Sequence, residues 1–365
     1  MNNISKYIKN SLLLTVLLMI FSVYIIYDAS SIWAQYKYDD SFYYLKRQII
    51  YVILGFIILF FSRKINISLL KKYSFIFLLI TLFLLILVVI PGVGINKGGS
   101  SSWLGFSFLS FQPSEIFKIA IIIFASKYLD LTFLKTASFK TIIPLLVVFL
   151  CGAILIMLQP DFGTLIVIFA AIVSMIFLSK LKFRYFIYSF VICLILFCVM
   201  IAIEPYRINR ITAFIDPFSD PLGTGFQIIQ SLYAIGPGGL VGEGINNSIQ
   251  KYYYLPEPQT DFIYALIVEE FGLLGGLIIL IIYLLLFYNL YKICKYSHSS
   301  FKYLLSFGFL SLMVVQVIIN LGVVTSLFPV TGITLPFLSY GGSSLLSLCL
   351  CIGIITGDND EYITC

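Results

Sequence analysis

The sequence predicts an all-α polytopic membrane protein, with ten transmembrane helices and one long extracytoplasmic loop between helices 7 and 8. Three observations predict it. Sixty per cent of the 365 residues are hydrophobic and only 11% are charged, with a mean hydropathy of +1.04. No soluble domain carries that balance. The apolar residues fall into runs close to the ~20 residues a helix needs to cross a bilayer. One segment, 204–262, interrupts the series with six of the chain's 12 prolines and seven of its 25 glycines. That is too many breakers for a helix in lipid.

The runs lie near 11–27, 45–62, 73–90, 113–129, 140–158, 163–179, 184–203, 262–290, 301–325 and 337–356. The first follows Lys6 and Lys9 and lacks a small-residue cleavage site, so it reads as a retained anchor rather than a signal peptide. Lys37, Lys46 and Arg47 separate it from the second. Arg63, Lys64, Lys71 and Lys72 divide the second from the third, and Lys97 lies between the third and fourth. Lys127, Lys135 and Lys140 precede the fifth; Lys180, Lys182 and Arg184 precede the seventh. Arg207, Arg210 and Lys251 fall in the long segment before the eighth, and Lys292, Lys295 and Lys302 lie between the eighth and ninth. The tenth opens with GGSS at 341–344, small residues that suit helix packing better than phosphate binding.

An even number of spans puts both termini on one side. With the N-terminus inside, 15 of the 23 lysines and arginines fall in inner loops, 7 in outer loops and Lys118 within a span. This bias places both termini in the cytoplasm and residues 204–262 outside. It also accounts for the net charge of +6 without nucleic acid as a partner. The cysteines at 151, 193, 198, 294, 349, 351 and 365 all fall in spans or inner segments, so no disulfide framework is expected. No internal repeat or low-complexity tract divides the chain, so residues 1–365 read as one transmembrane domain.

Several charges do not belong in lipid. Glu115 and Lys118 open the fourth span three residues apart, on one helix face. They fit a structural ion pair or a wet polar site equally well. Glu269 and Glu270 lie about two turns into the eighth span, with one of them placed to pair with Lys118. Asp261 stands at the mouth of that span, after LPEP and beside Gln259 and Thr260, where a helix cap and an acid–base group are both in keeping. Arg207, Arg210 and Lys251 suit a pyrophosphate headgroup; they also suit pairing with Asp216, Asp220, Glu243 or Glu257. His298 is the only histidine and reads as solvated. No His/Cys cluster, Walker loop or Ser-His pair points to zinc, ATP or hydrolase chemistry.

The stretches FQPSEIFK (111–118), LQPDFGT (158–164), EPYRINR (204–210), DPFSDPLGTGFQIIQSL (216–232), NSIQKYYYLPEPQTDFIYA (247–265), EEFGLLG (269–275) and ITLPFLSYGGSS (333–344) resemble the SEDS family of bacterial envelope proteins, FtsW, RodA and SpoVE. The resemblance runs over nearly the whole chain in the family's order. NS-x-QK with YLPE, and the TLP-x-x-SYGGSS ending, are more similar to the FtsW branch. The chain departs from the family at Gln259, where a histidine is common, and at Ser102 and Ser110, where basic residues are common.

The resemblance implies a peptidoglycan glycosyltransferase that polymerises lipid II on the outer face of the bacterial cytoplasmic (inner) membrane, at the division septum. It implies Asp261 as general base. Glu115, Lys118, Arg207, Arg210, Lys251, Gln250 and Glu269 are the implied substrate-binding residues. No cofactor follows for certain; a divalent Mg or Mn ion beside the cations is compatible. A class B penicillin-binding protein and other division proteins are the implied partners. Two other readings stay open: a lipid II flippase with no chemistry, and a scaffold that recruits the penicillin-binding protein.

The orientation is testable. In a cysteine-free background, Ser219→Cys is expected to react with an impermeant thiol reagent in intact spheroplasts and Ser299→Cys is not. The opposite pattern would overturn the assignment of sides.

Overall fold

The computed structural model describes residues 2–97, 100–106, 109–133, 142–179, 181–188, 190–191, 194–195, 210, 212–252, 254–297 and 299–357. Ten α-helices of ten or more residues are present among them: α1 (Asn2–Tyr38), α2 (Tyr43–Ser62), α3 (Ile67–Val89), α4 (Pro113–Asp130), α5 (Ile143–Met157), α6 (Phe162–Leu178), α7 (Phe226–Ile235), α8 (Ile263–Lys295), α9 (Ser300–Val324) and α10 (Gly342–Thr356). Nine of them match nine of the ten expected spans; α7 is a short helix inside the long segment. The seventh expected span, 184–203, lies largely outside the described residues, as do Arg207 and His298.

Boundaries shift where local chemistry overrides the apolar run. α1 is 37 residues long and carries its helix well past the apolar stretch on the loop side. The tenth helix starts at Gly342, five residues later than expected, because 335–340 form a tight turn. There Leu335 N donates to Ser339 Oγ at 2.9 Å and Phe337 takes φ 63°. Between α3 and α4 the chain makes a three-stranded antiparallel sheet that the apolar runs do not announce: β1 (Ile95–Lys97), β2 (Ser100–Phe106) and β3 (Leu109–Phe111), in the order β1-β2-β3. It delivers the chain to Gln112 and to Pro113, which opens α4 at a position where proline loses no helix bond.

α9 is the central helix. Its apolar window is 72% buried within the protein, against 28% for α2, α3 and α8, and it lies against α4, α6, α8 and α10. α2 runs along α10, α3 along α4 and α1 along α8. Hydroxyls inside the bundle satisfy themselves on their own helix; Ser11, Thr15, Ser22 and Ser30 all donate to carbonyls three or four residues back. Gln48 on α2 then donates to Ser22 at 3.0 Å, tying α2 to α1.

α8 is not one continuous helix. Gly272 breaks it with φ 68° and ψ −172°, a conformation essentially reserved for glycine. The backbone freed by the break is met by residues 239–244. Glu243 N donates to Glu269 O at 2.9 Å and Gly244 N to Glu270 O at 3.1 Å. In return, Leu273 N donates to Gly239 O at 2.9 Å and Leu274 N to Leu240 O at 3.1 Å. The part after the break, 273–295, is roughly 34 Å long at about 1.5 Å per residue, enough for a hydrocarbon core of ~30 Å. The part before it, 263–271, is almost wholly buried in protein. Glu269 and Glu270 therefore lie on the loop side of the break, before the stretch long enough to cross a bilayer.

A Cβ at Gly272 would lie 2.4 Å from both Gly242 N and Leu240 O. Gly272→Ala is expected to cost at least ~1–3 kcal/mol from backbone strain alone, read as a lowered thermal midpoint in detergent. Gly236→Ala, whose Cβ meets only Leu232 O at 3.3 Å, is the matched control and should stay near the parent.

Candidate active site

The N-termini of α4, α6, α8 and α10 converge on the face that carries the long loop, and polar contacts stitch them together. Gln112, before α4, donates its amide to Ser343 Oγ of α10 at 3.1 Å and its Nε2 to Asp161 Oδ2 of the α6 cap at 2.8 Å. Ser114 Oγ donates to the same Asp161 oxygen at 3.0 Å. Asp161 Oδ1 accepts from Thr164 N at 3.2 Å, which caps α6. Gly163, the next turn of α6, lies against the Thr331 carbonyl and Ile333. Four helix N-termini on one face present partial positive charge and unpaired amides to whatever binds there.

Asp261 sits at the mouth of α8 on this face. Asn320 Nδ2, from the central helix, donates to the Asp261 carbonyl and to the Ile333 carbonyl, both at 2.8 Å. That fixes the Asp261 main chain to segment 331–333. The carboxylate points towards Gly332 and makes no hydrogen bond among the described residues. It is not a helix cap: the α8 cap position is Phe262, with no side-chain cap bond. Burial raises the Asp261 pKa to about 6; repulsion by Glu257 adds to the rise and Arg210 opposes it. Arg210 itself donates to the Val330 carbonyl at 2.7 Å, one residue from the same segment. Gln259 is buried; its carbonyl accepts from Tyr340 N at 2.8 Å, and its side-chain oxygen has no partner among the described residues.

Lys118 is 2% exposed and donates to Glu115 Oε1 at 2.7 Å, while Ser347 Oγ on α10 donates to Glu115 Oε2 at 2.9 Å. Asp161 belongs to this group. Its pKa is raised by burial, against its hydrogen bonds to Thr164 and Ser114 and the charge of Lys118. The sequence reading did not single out Asp161. An acid between a proline and an apolar run, in LQPDFGT, is the signal the sequence offers for it.

A second polar cluster gathers the remaining residues away from Lys118. Glu269 does not pair with Lys118; it accepts from Ser248 Oγ at 2.6 Å, Ile249 N at 2.8 Å and Gln250 N at 3.2 Å. Lys251 pairs with none of Asp216, Asp220, Glu243 or Glu257. Its amine donates to Asp28 of α1 and to Glu270, both at 2.9 Å. Burial opposes the Lys251 charge, but the two carboxylates outweigh that and hold its pKa above the ordinary lysine value. The Gln250 side-chain oxygen is buried without a partner. A cavity of about 310 Å³, lined by Trp33, Lys251, Leu255, Pro256, Glu257 and Pro258, opens beside this cluster. It is at the lower end of the range for small-molecule sites. Among the described residues no three His, Cys, Asp or Glu side chains form a group that would hold a metal ion.

The family described as "Cell cycle protein", FtsW/RodA/SpoVE, matches residues 9–359. The chain is 43% identical over 344 residues to stage V sporulation protein E of Bacillus subtilis, covering 94% of each chain. It is 36% identical over 356 residues to a probable peptidoglycan glycosyltransferase FtsW of a Geobacter species, covering 97% of each. Among solved structures it is similar to a chain of a peptidoglycan synthase complex that coordinates polymerization and crosslinking, with 28% identity, a TM-score of 0.74 and coverage of 94% and 95% of the two chains.

Lys118→Met alone strands the buried Glu115 carboxylate and is expected to cost ~3–5 kcal/mol, whereas changing both to apolar residues should recover most of it. Thermal unfolding in detergent reads both. Equal stability of the single and double variants would show that the pair is not coupled.

Proposed function

The chain belongs to the FtsW, RodA and SpoVE family, whose members act in peptidoglycan synthesis, and on that premise we propose that it is a lipid II polymerase. The observation that carries this reading is Asp261: a carboxylate without a hydrogen-bond partner among the described residues, held by its main chain at the meeting point of four helix N-termini. A base has to be free to accept a proton and ionised at working pH. A pKa of about 6 meets both conditions at neutral pH.

In the proposed reaction the lipid-linked end of the growing glycan is the donor and the sugar 4-hydroxyl of an incoming lipid II is the acceptor. Asp261 takes the hydroxyl proton as its oxygen bonds to the donor's anomeric carbon. The bond from that carbon to the pyrophosphate breaks, and the lipid pyrophosphate leaves with the electron pair. The converging helix N-termini favour that anion, and Arg210 and Arg207 supply full charges; Lys118, already paired with Glu115, is assigned to holding the start of α4. A divalent Mg or Mn ion would add to this neutralisation; no step here is routed through one. Lys251 and Glu269 already have partners inside the protein, so we assign them to holding the loop, with Gln250 between them. The site would lie on the extracytoplasmic side of the cytoplasmic membrane with both termini cytoplasmic, and a class B penicillin-binding protein would be the crosslinking partner. FtsW-like motifs favour septal duty.

Lipid II supplied in detergent to the purified protein with its penicillin-binding partner, in the presence of moenomycin to silence contaminating polymerases, is expected to yield glycan strands. A flippase or a scaffold would yield none. The rate should also carry an acid limb. The ionised form of Asp261 is lost as pH falls through about 6, so activity is expected to be full above that value and to fall towards tenfold loss per pH unit below it. A flat profile between pH 5 and 7 would remove Asp261 as the base.

A further inference from the structure

We infer that residues 238–242 form a wedge immersed in the bilayer leaflet on the loop face, with Leu240 and Val241 at its tip, the exposed Glu243 beyond it on the polar side, and the acyl chains of that leaflet as its partner. This does not depend on the reaction proposed above. Leu240 is 67% and Val241 73% exposed, unusual for two adjacent aliphatic residues in a polar loop. Their height is fixed by backbone pairing: Gly239 and Leu240 accept from Leu273 and Leu274. The wedge therefore lies level with the first residues of α8 beyond the break.

Those residues begin an exposed apolar row along α8: Leu273, Leu274, Leu277, Ile278 and Ile281. In a helix stretch long enough to cross the hydrocarbon, that row faces lipid. The wedge continues it sideways. Its sequence, GPGGLVG from 236 to 242, has no charged residue. The approach is close enough to demand glycine on both sides. Gly242 has φ +89°, and a Cβ there would meet Glu270 O at 2.2 Å. Irregular backbone in lipid needs its polar groups met by protein; here the carbonyls of Gly238, Gly239 and Leu240 all accept within the protein, and the amides at the tip keep the wedge at the headgroup side of the leaflet with only its side chains among the acyl chains. The long segment is thus not wholly outside the membrane, as its prolines and glycines alone would predict.

Two labels test this in lipid nanodiscs holding the protein without a partner. Leu240→Cys and Val241→Cys, in a cysteine-free background, are expected to react with an aqueous thiol reagent about tenfold more slowly than Ser219→Cys, equivalent to ~1.4 kcal/mol of protection. Val241→Trp in the otherwise unaltered protein, free of the cysteine background, should add emission that brominated acyl chains quench and aqueous iodide does not. Reaction at the Ser219→Cys rate, or iodide quenching of the added emission, would overturn the inference. Protection that appears only after the penicillin-binding partner is added would overturn it too, in favour of a protein interface.

Discussion

A helix broken in apolar surroundings must have its freed amides and carbonyls met by other backbone, and the arrangement of the loop face follows from how this chain meets that requirement at Gly272. Residues 239–244 are drawn against α8 to pair with the carbonyls of Glu269 and Glu270 and the amides of Leu273 and Leu274. With that segment in place, the Glu269 carboxylate gathers the amides of Ile249 and Gln250. Lys251 is then carried to Asp28 and Glu270, locking the loop to α1 as well as to α8. A buried ion pair of this kind is poor evidence of stability on its own. Its effect here is positional: a proline- and glycine-rich segment acquires one arrangement over the face that carries the candidate site.

The other half of the face depends on the even-numbered helices. α4, α6, α8 and α10 all start there, so their positive ends add. The polar residues that begin them, Gln112, Ser114, Asp161, Ser343 and Ser347, bond to one another or to Glu115 rather than to solvent. Asn320 brings the central helix into the same arrangement through the Asp261 and Ile333 carbonyls. Nearly every polar side chain on the face is thus committed to a protein partner. The Asp261 carboxylate and the Gln259, Asn320 and Thr331 side-chain oxygens are exceptions among the described residues, and of these only Asp261 can take a proton as a base.

The helices were legible in the sequence because apolar length is set by bilayer thickness, and nine runs match helices to within a few residues, apart from the ends of α1, α3, α8 and α10. The sheet at 95–111 was not legible: its strands are three to seven residues long and show no period of their own in so apolar a chain. The break in α8 was hidden because Gly272 lies inside a run that reads as one span. Glu269 and Glu270 therefore read as in-span partners for Lys118, whereas in α8 they bond to the loop through Ser248, Ile249, Gln250 and Lys251. Lys251 was misread for a related reason. Its partner Asp28 lies 223 positions away, inside α1, and no local spacing signals that contact. Asp261 was legible as a place but not as a role, since a cap and a base occupy the same position in a sequence. Only the absence of a cap bond separates them.

The central claim is that Asp261 acts by taking a proton. Asp261→Asn tests it most directly, because asparagine keeps the side chain's shape and removes only its basicity. Lipid II turnover by the purified variant with its partner should fall by ~10²–10⁴, the usual worth of a general base, while its thermal midpoint and partner binding match the parent. Turnover at close to the parent rate would contradict the account and move the search for the base to Asp161, Glu115 or Glu257.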